Sequence, residues 1–303
     1  MNFRYFTVFL FALLLAACSS ESAPEPTAVG TDNIRPLIIA SNFPLYFFAR
    51  DIAGDSAEVI FPSMEGDPVN WKPGSEDIAR KQSADLVILN GAGYEPWLDW
   101  VSLPGAILLD TSDGIRERLI PLEEETVHQH GPEGAHSHHG LALTIWLDPV
   151  LAMEQASVIE QAISEMVPRN QAAHQARLAS LQARLAGLDE ELRIAFETFG
   201  DQTIIFSHPV YQYLAARYGL TGVSVHWEPG EDPGIKAWID FQNVLRSHPA
   251  ELMIWEDEPG DVTADQLEQF GIKPIPFHTA SNLPEGSDYF EVMNANLDHL
   301  NTR

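Results

Sequence analysis

The chain has 303 residues, 44 acidic against 17 basic, a formal charge of −27, and one cysteine. That balance excludes the basic patches nucleic-acid binding needs, and it suits a protein that attracts cations. A lone cysteine excludes a disulfide framework, so stability must come from a hydrophobic core, which a chain of this length can supply.

Residues 1–17 read as a secretory signal: Arg4, then an apolar run from Tyr5 to Ala17, too short for a stable membrane span. The stop Leu15-Ala16-Ala17-Cys18 resembles a bacterial lipobox, which makes Cys18 the expected lipidated residue. Acyl chains hold a protein to a membrane by burying methylenes. Residues 18–34, rich in Ser, Pro and Glu, suit a flexible tether. The expected location is therefore the periplasm or cell surface, with a lipid anchor in a bacterial membrane.

Short apolar, β-branched runs predict strands at 36–41, 57–62, 84–91 and 106–110, with a helix from Pro44 to Ile52. The continuous run at 84–91 has the pattern of a strand buried on both faces of a parallel sheet. Residues 128–140 then hold five of the chain's eleven histidines: His128, His130, His136, His138 and His139. Neutral imidazole is a common ligand for zinc and related metals. Gly131, Pro132, Gly134 and Gly140 argue against regular helix or strand, so the segment reads as a mobile loop loaded with metal ligands.

A long helical region opens at Asp148-Pro149 and is interrupted at Pro168, where a second helix is expected to start. Leu178, Leu181, Leu185, Leu188 and Leu192 form one apolar stripe along 169–199. Strands are predicted at 202–207, 220–226, 251–256 and 273–277. Helices are predicted at 209–218, 233–246, 263–270 and 287–300. The fold class is thus α/β: two lobes with mostly parallel sheets, joined by one long backbone helix. The divisions are 35–167 for the N-terminal lobe, 168–199 for the backbone helix and 200–303 for the C-terminal lobe.

Several segments occur in a telling order: SNFPLYFFARDIAGD, GDPVNWKPGSEDI, ADLVILNGAGYEPWL, the His-rich segment, WLDPV, IIFSHPVYQYLAARYGL and DYFEVMNANLDHL. Together, over 36–300, they resemble the zinc/manganese class of solute-binding lipoproteins that feed ABC importers. The resemblance implies a metal held in a cleft between two lobes, with the His-rich segment as an accessory. It also implies an ABC permease and its ATPase as partners, and a monomer.

The implied ligands are incomplete. Val69 stands where the family's first histidine would, and Thr144 where the second would. His208 matches the third, and His278 stands where the family often has an aspartate. Two ligands make a weak zinc site, because zinc takes four donors. Asp67, Asn70, Glu256 and His226 are polar residues that could compensate. His208, His226, Glu256 and His278 all follow the C-terminal ends of predicted strands, where open α/β sheets place ligands. The expected metal set is His208, His278 and Glu256, with Zn²⁺ favoured over Mn²⁺ because the donors are nitrogen-biased. His174, His248 and His299 are expected to be solvated, and Trp71 and Trp97 to pack within a lobe.

The leading expectation is capture of Zn²⁺ for a membrane permease. The alternative is a metal-buffering or interaction lipoprotein that uses only the His-rich segment. No Gly-rich phosphate loop, nucleophile elbow or HExxH motif points to an enzyme.

Overall fold

The computed structural model describes residues 35–122, 126–129, 135–138, 140–284 and 286–302. The signal, the tether and Cys18 lie outside the described residues, as do His130 and His139. No helix among the described residues is long and apolar enough to cross a membrane.

Two four-stranded, all-parallel sheets carry the fold. The first contains β1 (Leu37–Ala40), β2 (Glu58–Ile60), β3 (Leu86–Leu89) and β4 (Leu108–Asp110), in the order β2-β1-β3-β4. Central β3 is buried along its whole length, as its unbroken Leu-Val-Ile-Leu run requires. Helix α1 (Phe43–Ala53) follows β1 and α2 (Ser75–Gln82) follows β2. Asn42 caps α1 by accepting from the Leu45 N–H, and Pro44 fits its first turn. Trp71 and Trp97 meet edge to face, and the buried Lys81 ammonium lies 4.7 and 5.0 Å from their ring centroids.

The His-rich segment departs from the expected loop. Strands β5 (Thr126–Gln129) and β6 (Ala135–His138) pair as an antiparallel ribbon, with His128 opposite His136. The ladder continues at its base, where the Ala142 N–H donates to Ile120 O and the Leu122 N–H to Gly140 O. The breakers Gly131, Pro132 and Gly134 fall between the two strands in sequence, so they do not interrupt the pairing.

Helices α3 (Pro149–Met166) and α4 (Gln171–Glu197) follow, separated by a short 3₁₀ turn at Pro168–Asn170. Leu181, Leu185, Leu188 and Leu192 of α4 are buried. This stripe lets α4 pack on α1 and α3, and also on α5 (Gln212–Tyr218) and α8 (Tyr289–Asn301). His174 is a correction to the sequence reading: it is 1% exposed, with Nε2 2.8 Å from Ser56 Oγ and Nδ1 3.1 Å from Ser164 Oγ. It sits in the α3–α4 seam, so polar partners take the place of water.

The second sheet contains β7 (Ile204–Phe206), β8 (Gly222–Ser224), β9 (Leu252–Trp255) and β10 (Lys273–Pro276), in the order β10-β9-β7-β8. Helices α6 (Ile235–Ser247) and α7 (Asp261–Gln269) complete it. Helix α8 returns to the first half, where Tyr289 and Phe290 meet Phe47 and Phe48 with ring centroids 5.5–6.0 Å apart.

A buried carboxylate organises the loops after the first sheet. Glu95, 6% exposed, accepts from Ser41 Oγ (2.6 Å), the Asn90 N–H (2.7 Å) and the Gly91 N–H (3.1 Å). Gly91 has φ +78°, and a Cβ there would fall 1.9 Å from Asp110 Oδ1, so only glycine fits. Desolvation pushes the Glu95 carboxyl up to about 7 from its ordinary 4.5, against the pull of these donors. The folded state therefore holds a proton that the unfolded state has lost in that window. The contribution is fully present below pH 4.5 and lost as pH rises through about 7. Its size is on the order of 3 kcal/mol. Urea unfolding should accordingly show wild type losing stability relative to Glu95→Gln between pH 5 and 8. A parallel pH dependence in the two proteins would refute this role.

Candidate metal-binding cleft

The loops leaving the second sheet are stitched together by backbone hydrogen bonds. The Ser207 N–H donates to Ile254 O, Val225 to Phe206 O, Trp227 to Ser207 O and Phe277 to Trp255 O. The Glu256 N–H donates to Ser207 Oγ at 2.8 Å. The turn after β7 is tight, with the Val210 N–H reaching His208 O at 2.9 Å, so α5 starts at Gln212 rather than at Pro209. Asp257 and Ala280 take left-handed φ values of 65° and 59°, a strained conformation for residues other than glycine. Asp257 follows the central strand β9 and Ala280 the edge strand β10, where the chain turns beside the cleft.

These loops face segments of the first half across a cavity of about 460 Å³. His208, Glu228, Glu256 and His278 line it from one side. Asp67, Val69, Asn70, Tyr94 and Thr144 line it from the other, with Leu122, Leu141 and Leu143 at the foot of the β5–β6 ribbon. His226 is exposed and lies outside this lining, because the flanking Val225 and Trp227 turn into the core.

His208 is the centre of the charge network. Its Nδ1 is 2.7 Å from Glu256 Oε2 and its Nε2 is 3.3 Å from Glu228 Oε1. Two carboxylates on two ring nitrogens call for an imidazolium that donates to both. Burial alone would lower its pKa, but Glu228 and then Glu256 outweigh that and hold it at about 10. Glu256 is also engaged through Oε1, which accepts from the Thr279 hydroxyl at 3.3 Å. Across the cleft, the Asp67 carboxyl is pushed up to about 6, first by desolvation and then by Glu256. Asp67 Oδ1 accepts from the Val69 N–H (3.0 Å) and the Tyr94 hydroxyl (3.4 Å).

The other expected positions behave differently. His278 lines the cavity, but its Nδ1 accepts the Ala280 N–H at 2.8 Å. In the neutral ring the proton then sits on Nε2, which is a donor. Val69 is 7% exposed and apolar, and the Thr144 hydroxyl is committed to Val210 O. Glu228 was not anticipated from the sequence. Its only signal was its place two residues past His226, beyond the end of the same strand. Among the described residues, no three His, Cys, Asp or Glu side chains are already grouped as a metal-holding set.

Asn282 ties the two sides. Its Nδ2 donates to Met64 O (3.0 Å) and Gly66 O (2.6 Å), on the segment that leads into Asp67. Two hydrogen bonds at roughly 0.5–1.5 kcal/mol each predict about a tenfold faster release of a metal from the cleft for Asn282→Ala. Stopped-flow competition with a fluorescent metal chelator measures this, and an unchanged off-rate would show that the clasp does not govern release.

Two parallel α/β sheets meet at one cleft by the C-terminal ends of their strands, the edge where open α/β sheets bind ligands. Residues 38–303 match the family described as ZnuA, zinc-uptake complex component A, periplasmic, and the chain belongs to that family. The chain is 27% identical over 301 residues to the high-affinity zinc uptake system protein ZnuA of Bacillus subtilis, covering 95% of this chain and 93% of that protein. It is 26% identical over 310 residues to the zinc-binding lipoprotein AdcA of Streptococcus pneumoniae, covering 96% of this chain and 58% of that protein. The fold matches the metal-dependent lipoprotein YcdH of Bacillus subtilis with a TM-score of 0.73 at 24% identity, covering 88% and 99% of the two chains. It matches Zn(II)-bound AdcA of Streptococcus pneumoniae with a TM-score of 0.72 at 21% identity, covering 88% and 57%. The family is a solute-binding transport component.

Proposed function

We propose that this chain captures Zn²⁺ outside the cytoplasm in the His208 cleft and passes it to an ABC permease and its ATPase, from a lipid anchor at Cys18. The observation that carries the reading is His208, held against carboxylates on both ring nitrogens beside a cavity of about 460 Å³. A metal-ligating histidine commonly donates its second N–H to a carboxylate, which fixes ring orientation. The shorter contact, Nδ1 to Glu256 at 2.7 Å, suits that orienting role. His208 Nε2 then meets the metal, with Glu228 beside it and Asp67 supplying Oδ2 from the opposite wall. Zinc replaces the proton that Nε2 otherwise carries, and the carboxylates favour a dication over that single positive charge. Glu256 thus positions the ligand, and His278 serves as a hydrogen-bond donor to whatever fills the cleft.

The β5–β6 ribbon acts as an accessory in this reading. Calorimetry on protein lacking 126–138 should retain one tight zinc and lose only weaker equivalents. Loss of all zinc affinity at micromolar or tighter level would move the function to the ribbon and refute the cleft.

A further inference from the structure

We infer that the cleft takes zinc together with a small nitrogen-donor chelator, for which free histidine is the simplest probe, rather than as the bare ion. The inference rests on the cleft being the zinc site. His208, Glu228 and Asp67 give three protein donors, and zinc takes at least four. The two wall positions where the family resemblance places further histidines are closed to metal: Val69 is apolar, and the Thr144 hydroxyl is bound to Val210 O.

The space is also too large for an ion. One water takes about 30 Å³, whereas cavities from about 300 Å³ upward suit organic ligands. At about 460 Å³ this cavity leaves most of its volume to something other than zinc. Leu122, Leu141, Leu143 and Val210 give that volume an apolar wall.

Charge selects the kind of chelator. Glu231 and Asp257 add to the carboxylates already facing the cavity. A polycarboxylate complex carries negative charge and is repelled. A one-histidine complex, formed through the amine and imidazole nitrogens with loss of the ammonium proton, keeps a net charge of +1 and is still attracted. His278 Nε2–H offers a donor for the single carboxylate of an amino-acid chelator.

The test is equilibrium dialysis of the full apo chain with labelled zinc and labelled L-histidine. The arms are zinc alone, histidine alone, zinc with histidine and zinc with citrate. The expected result is co-retention of one histidine per zinc, no retention of histidine alone, and at least tenfold tighter zinc retention with histidine than with citrate. Filling the apolar wall by Leu143→Trp should abolish histidine retention while zinc remains measurable. If zinc is retained equally well with no histidine bound, the chelate inference fails and the zinc reading stands. If zinc is retained in no arm, the zinc reading fails and takes this inference with it.

Discussion

Replacing His208 with alanine should weaken zinc binding by more than about 100-fold, since loss of an outer partner alone costs about 10–100-fold. His208 is the one imidazole among the proposed donors. Its loss also leaves Glu228 and Glu256 facing each other without the cation that both now contact. Glu256→Gln should be milder, within about 10–100-fold, because a carboxamide still accepts the Nδ1–H and holds the ring. The order of the two effects separates ligand from positioning residue. Calorimetry gives both values, and circular dichroism checks that each variant is folded. Equal losses in the two variants would make Glu256 a ligand in its own right.

Trp146→Ala should be the most destabilising single truncation near the cleft. Trp146 is fully buried, meets Tyr94 edge to face at 5.5 Å and donates Nε1–H to Thr279 O at 2.7 Å. Truncating a buried aromatic of this size costs about 3–5 kcal/mol. In a chain of this size that corresponds to a melting-temperature drop on the order of 10 °C. The change also frees Thr279, whose hydroxyl holds Glu256 Oε1. Zinc affinity should therefore fall as well, though less than with His208→Ala. Thermal melts with and without zinc measure both. A drop under about 3 °C would show that the 279 loop does not depend on this anchor.

Most of the architecture was legible because the strands are short apolar runs and the breakers are strong. The Leu-Val-Ile-Leu strand, the Pro44 and Pro149 helix starts and the leucine stripe of α4 each follow from local chemistry. The His-rich segment misled because glycine and proline were read as properties of the whole segment. Placed between two runs of four residues, they connect strands rather than forbid them. His174 misled for a related reason: one polar residue on a helix says nothing about which polar partners the neighbouring helix offers.

The site was legible in part. His208 follows from its motif and from its place after β7. Glu256 is expected among the metal ligands from the sequence; in the structure its Oε2 meets His208 and its Oε1 accepts from Thr279. Glu228 was missed because β8 ends at Ser224 and the chain is drawn back by the bond from Trp227 N–H to Ser207 O, a contact without a sequence signature. The tautomer that makes His278 a donor depends on the left-handed turn at Ala280, which is equally silent in sequence.

The central claim is that zinc sits in the cleft on His208 rather than on the histidines of the ribbon. Diffraction from zinc-soaked crystals, collected on both sides of the zinc absorption edge, tests it directly. The account predicts an anomalous peak about 2.0–2.1 Å from His208 Nε2, with Glu228 as a co-ligand. A peak on the 126–138 ribbon with the cleft empty would contradict it.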